Sequence, residues 1–175
     1  MSLQIVILGM LWDNESHPYE IKKRMLRYVL DNAISITDGA LYYNFEALVK
    51  KEYIKPVEVI HSDNRPDKTM YAITDKGRQG LKEEIYKSFK KNTDMKTLFT
   101  AIPFMHLVDR DRLAFLIEDI IQKLEQRIDV IANSRDSFPD LSARKEVRFL
   151  ADYSEQWAGH EIEWFRKLLE IVKQQ

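Results

Sequence analysis

The chain has 175 residues, with 27 Lys or Arg against 28 Asp or Glu and no cysteine. That length supports one domain or two small ones, and the near balance of charge excludes a protein that coats nucleic acid by bulk charge. The missing cysteines exclude disulfides, thiolate catalysis and thiolate metal sites, and only 5 Gly and 5 Pro favour long helices over a many-turned β fold.

Leu3, Ile5, Val6, Leu8, Leu11 and Trp12 predict a short apolar helix that ends near Asp13-Asn14-Glu15-Ser16. It lacks a basic n-region and a small-residue cleavage site, so it reads as a core helix, not a signal peptide. No apolar run reaches the roughly 18 residues of a membrane span. A second helix starts at His17-Pro18, where the missing proline N–H costs nothing. Ile21, Met25, Tyr28 and Val29 recur at helical spacing, while Lys22, Lys23, Arg24 and Arg27 fall mostly elsewhere.

After a short link, Asn32 to Ile36, a third helix begins at Thr37-Asp38-Gly39, with Thr37 as cap and Asp38 at the positive dipole end. Leu41, Phe45 and Leu48 form its buried stripe. Tyr53 to Ile60 and Thr69 to Ile73 are strand-like, and the polar stretch 61–67 joins them as a hairpin. Thr74 caps a further helix, carried by Leu81, Ile85 and Phe89 to about Leu98. Asp109 to Arg135 is amphipathic, with Leu113, Ile117, Ile120, Leu124, Ile128 and Ile131 in step. Asn133 to Ser142 is a connector. The last helix, from Ala143 to about Lys173, carries Phe149, Tyr153, Trp157, Trp164, Leu168 and Ile171.

The order predicts a mainly α fold with a small β-hairpin. Residues 1–85 form a winged helix-turn-helix domain, and residues 86–175 a helical dimerisation domain that also offers an effector site. In that plan the third helix enters a DNA major groove. Opposite its buried stripe lie Gly39, Tyr43, Glu46, Ala47 and Lys50; Tyr42 and Asn44 flank it. Thr37, Tyr42, Tyr43 and Asn44 offer hydroxyls and an amide to phosphates or base edges, and small Gly39 and Ala40 permit close approach. Arg65 and Lys68 at the hairpin suit a phosphate backbone or minor groove. Lys22 and Lys23 are phosphate candidates that also read as a solvated helix face. Tyr71 reads as packed under the wing. Glu46 repels phosphates, unless it accepts from cytosine N4.

The N-terminal half resembles the PadR family of bacterial winged-helix transcriptional regulators. The matching motifs are Ile7-Leu-Gly-Met-Leu11, His17-Pro-Tyr-Glu-Ile21, Thr37-Asp-Gly-Ala-Leu-Tyr42, Leu48 through Ile54, Arg65-Pro66 with Lys68 and Tyr71, and Ile73-Thr-Asp-Lys-Gly77. The resemblance covers about residues 3 to 85. It maps Tyr42, Arg65 and Lys68 onto DNA-contacting positions. Tyr43, Val49, Glu52 and Pro18 depart from the family's common residues, and Glu52 replaces a Gly that would end the helix easily. The resemblance implies a cytoplasmic repressor, associated with the nucleoid when DNA-bound. It would act as a homodimer on palindromic double-stranded DNA and answer a small aromatic effector such as a phenolic acid.

Tyr153, Trp157, His160 and Trp164 in the last helix are the candidate effector residues, although an aromatic stripe at this spacing reads first as dimer core. Two long amphipathic helices need each other or a second copy to cover their apolar faces. No cofactor or metal is expected. The histidines His17, His61, His106 and His160 form no ligand pair, and there is no Gly-rich phosphate loop, so catalysis is not expected. The competing reading is a winged-helix protein-interaction module with little or no DNA affinity.

Overall fold

The computed structural model describes residues 2–25, 37–60 and 68–174. The described residues divide into two compact units. One runs up to Ser88 and also takes Lys96–Val108; the other comprises Phe89–Met95 and Asp109 onward.

In the first unit, helix α1 (Ser2–Met10) is buried almost all round: Ile5, Val6, Ile7 and Leu8 are consecutive core residues. A helix apolar on every side can only be a central one. Against this core lie Ile21 and Met25 of α2 (Pro18–Met25) and the expected stripe Leu41, Phe45 and Leu48 of α3 (Asp38–Lys50). The link between α2 and α3, with Tyr28 and Val29, lies outside the described residues, as does the hairpin tip with His61 and Arg65.

Strands β1 (Ile54–Ile60) and β2 (Lys68–Ile73) pair antiparallel, with Ile54 opposite Ile73 and Ile60 opposite Lys68. A bulge between Pro56 and Glu58 interrupts the ladder. Tyr71 stands opposite Pro56 but directs its own N–H and C=O to Ser16, both at 3.1 Å. The proline therefore owes the ladder no donor at that point.

Helix α4 (Asp75–Lys91) starts as expected, with the Thr74 hydroxyl accepting from the Gly77 N–H at 3.0 Å. Its length corrects the sequence expectation, because the helix stops at Lys91 instead of about Leu98. A separate turn, α5 (Met95–Leu98), begins where the Met95 N–H donates to the Glu161 carboxylate at 2.7 Å. A 3-10 helix, Ile102–Leu107, follows.

In the second unit, α6 (Arg110–Ser137) is capped by Asp109, whose carboxylate accepts from the Arg112 N–H at 2.8 Å. The expected connector 133–142 is largely helical: α6 runs through to Ser137, and Pro139 opens the short α7 (Pro139–Ser142). Helix α8 (Lys145–Gln174) returns antiparallel along α6, tied by Arg166 to Glu125 and Lys173 to Glu118, both at 2.8 Å. Its buried face is Ala158, Ile162, Phe165, Leu168 and Val172. Of the residues that carried the sequence expectation for this helix, Phe149, Tyr153, Trp164 and Ile171 are exposed and only Leu168 is core. The helix has apolar residues on more than one side, and the side packed in the unit is the one that carries Phe165.

Candidate nucleic-acid interface

Local chemistry sets both ends of α3. Thr37 holds extended backbone (φ −87°, ψ 154°) and its hydroxyl accepts from the Ala40 N–H at 3.2 Å. At the far end Glu52 adopts φ 59°, the left-handed conformation that suits glycine. Its N–H donates to Val49 O at 2.8 Å, and the Tyr53 N–H to Leu48 O at 2.9 Å, which closes a Schellman motif. The Glu52 carboxylate meets Lys76 at 2.6 Å, and that hydrogen bond and charge hold its pKa below the usual carboxylate range. Gly77 is required beside this exit: a Cβ there would stand 2.0 Å from Tyr53 O.

The outer face of α3 carries Tyr42, Tyr43 (71% exposed), Glu46 and Lys50. Nothing lies within 4 Å of a Cβ built on Gly39, and its φ is not positive, so neither packing nor conformation of the described chain calls for a glycine there. Asn44 is half-buried and spends an amide N–H on Ala40 O at 2.7 Å. Lys22 reaches from α2 to Asp38 at 2.7 Å, while Lys23 is exposed. On the other side of the helix, the rings of Phe45 and Tyr71 meet edge to face, with centroids 5.1 Å apart. The Tyr71 phenol is pushed up by burial first, then by Glu46 and Tyr42, which therefore border β2.

Lys68 is exposed at the start of β2. His17 lies close enough for its charge to matter: burial first, then Lys68, lowers the His17 pKa. The His17 Nδ1 accepts from the Tyr19 N–H at 3.2 Å, and Tyr19 itself is exposed in the first turn of α2. Tyr19 is the polar aromatic that sequence reasoning passed over, although the motif His17-Pro-Tyr-Glu-Ile21 already contained it.

The effector candidates on α8 do not converge. Tyr153 is exposed. Trp157 is half-buried, with the Arg127 guanidinium 5.1 Å from its ring. His160 and Trp164 pair edge to face at 6.3 Å on the exposed side. A cavity of about 290 Å³ lies instead within the first unit, lined by Trp12, Phe104 and Leu107 with Arg24, His106 and Asp13. No group of three or more potential metal ligands exists among the described residues. No helix among them is long and apolar enough to cross a membrane.

Helices α2 and α3, followed by a two-stranded wing, have the element order of a winged-helix DNA-binding domain. Residues 7–83 match the model of the transcriptional regulator PadR-like family. Similar solved structures include Bacillus subtilis PadR in complex with operator DNA, 18% identical with a TM-score of 0.45, covering 98% of this chain and 99% of that one. The same protein in complex with p-coumaric acid is 16% identical with a TM-score of 0.42, covering 99% of each chain. A PadR-like transcriptional regulator from Bacillus cereus is 22% identical with a TM-score of 0.41, covering 98% of each. The likeness to the family rests on the match over residues 7–83. None of the curated proteins matches the chain significantly.

Proposed function

We propose that the chain is a homodimeric repressor that works in the cytoplasm and binds a palindromic operator. In this reading α3 enters the major groove and the wing follows the backbone. The observation that carries it is the outer face of α3: an open helix start at Gly39, then Tyr42, Tyr43 and Lys50 turned to solvent, with Lys68 on the wing. Thr37 serves as cap and first polar contact. Tyr42 and Tyr43 reach base edges or phosphates, and Lys23, Lys50, Arg65 and Lys68 neutralise phosphates. Lys22 acts through its pair with Asp38, and Asn44 stiffens the first turns. The second copy is supported by Phe138, Leu141, Phe149, Leu150 and Tyr153, all exposed on one unit. Apolar groups in such number are stable in water when another surface covers them.

The test is a binding titration of the full chain against its own promoter region. Specific binding weakens as salt rises, because Lys and Arg contacts release counterions. Tyr43→Ala changes base preference, while Lys68→Ala and Arg65→Ala weaken all sequences alike. No specific binding to any genomic fragment at low salt sinks the regulator and favours the protein-interaction module, the reading that an unpaired Glu46 on this face supports.

For the effector, the reading is a small aromatic acid. The cavity beside Trp12 offers it a ring-binding wall together with Arg24 and His106 as donors to a carboxylate. Hydroxybenzoic and hydroxycinnamic acids serve as probes of operator release. Loss of the response in Trp12→Phe with retention in Trp157→Ala assigns it to the cavity. The opposite pattern assigns it to Trp157, His160 and Trp164 on α8.

A further inference from the structure

Glu46 is the anomaly of the outer face of α3. It lies three residues after Tyr43 and four before Lys50, so it shares their side of the helix. Lys50 stands at the spacing that suits an ion pair, yet Glu46 forms none with it or with any other described residue. Toward β2 it lies near enough to the Tyr71 phenol for its charge to help raise that group's pKa, after burial. The carboxylate is exposed on the surface that α3 turns to solvent, with no cation paired to it among the described residues.

Such a group costs affinity wherever it approaches phosphate oxygens. It fits DNA only where the groove offers a hydrogen-bond donor, because an ionised carboxylate has acceptors alone. In the major groove guanine presents two acceptors, and thymine an acceptor beside its methyl. Adenine sets the N7 acceptor next to its amine. Cytosine presents the N4 amine without an adjacent acceptor of its own.

We propose that Glu46 is a specificity-determining residue whose carboxylate accepts a hydrogen bond from the N4 amine of one cytosine in each half-site. The proposal rests on the regulator reading above. It also explains a negative charge on a DNA-facing helix: affinity is exchanged for rejection of the other three bases.

Selection of bound duplexes from a randomised library, with full-length wild type, Glu46→Gln and Glu46→Ala, tests it. Wild type enriches cytosine at one position of each half-site by about fivefold or more, as expected for one good base contact. Glutamine both donates and accepts, so Glu46→Gln moves the preference at that position to adenine. Glu46→Ala flattens that position and leaves the rest of the motif unchanged. Position 46 is exposed, and unchanged thermal melting of both variants confirms the fold. One motif with the same base weights from all three proteins overturns the proposal and leaves the regulator standing. No motif from any of the three overturns the regulator reading, and the proposal with it.

Discussion

Helix α3 and the far end of the α6–α8 pair both turn aromatic side chains to solvent, and their companions differ. On α3 the exposed rings are Tyr42 and Tyr43, which carry hydroxyls and stand beside Lys50. At the far end of α6–α8 exposed Phe138, Leu141, Phe149 and Leu150, with no polar atom in the side chain, outnumber the one tyrosine among them, Tyr153. A tyrosine can be solvated alone and hydrogen-bonded in a complex, so its exposure suits a surface that meets DNA and leaves it again. A cluster of Phe and Leu gains nothing from water, which suits a permanent partner of the same kind. The contrast concerns chemistry, since Tyr43 and Phe149 are almost equally exposed, at 71% and 69%.

The largest test of that contrast removes the second surface. Phe149→Ser with Leu150→Ser is expected to raise the dimer dissociation constant about 100-fold or more, at roughly 1.5–3 kcal/mol for each buried side chain. Sedimentation velocity reads this directly. A variant that stays dimeric would show that these residues are not the partner surface. Tyr42→Ser with Tyr43→Ser is the matched control, expected to leave the oligomer intact.

Next in size is the support behind α3. Gly77→Ala drives a methyl group into Tyr53 O, a backbone atom that cannot rotate away, and is expected to cost about 3 kcal/mol. Thermal denaturation measures it, and wild-type stability would mean the α3 exit tolerates a shift. Glu52→Gly acts in the opposite direction at the same exit. It relieves left-handed backbone and loses only a surface ion pair, so a gain of about 1 kcal/mol is expected from chemical denaturation.

The smallest effect is a pH slope. The His17 pKa is lowered in the folded chain from 6.5, so the unfolded chain binds a proton more readily. This contribution is fully present above that value and is lost as pH falls through it toward the folded pKa. Denaturation of His17→Gln is expected to fall less steeply with acid than wild type, and an identical slope would show that His17 does not titrate on folding.

Much of the first unit was legible because its signals are local. The Thr37 cap, the Leu41, Phe45 and Leu48 stripe and the Thr74 cap are each set within about two turns of helix, and the structure contains all three. The irregular exit was legible as a problem, since Glu52 sits where glycine would be easy. Its solution needed Thr74, whose hydroxyl donates to Glu52 O at 2.7 Å from 22 residues away. Asn44 and Lys22 could be named as polar groups from their types alone. Their engagement with Ala40 and Asp38 depends on rotamer and on how α2 meets α3.

The sequence by itself determined the order of helices and strands, the core stripe of α3 and the PadR-like motifs of residues 7–83, because periodicity, caps and short motifs are properties of neighbouring residues. Only the tertiary structure decided where α4 stops, since the turn that follows is started by Glu161, a carboxylate 6% exposed and 66 residues along the chain from Met95. It also decided which of two apolar faces of α8 is core. Periodicity offers both faces, and contact with α6 selects Ala158, Ile162, Phe165, Leu168 and Val172, leaving Phe149, Tyr153 and Trp164 exposed.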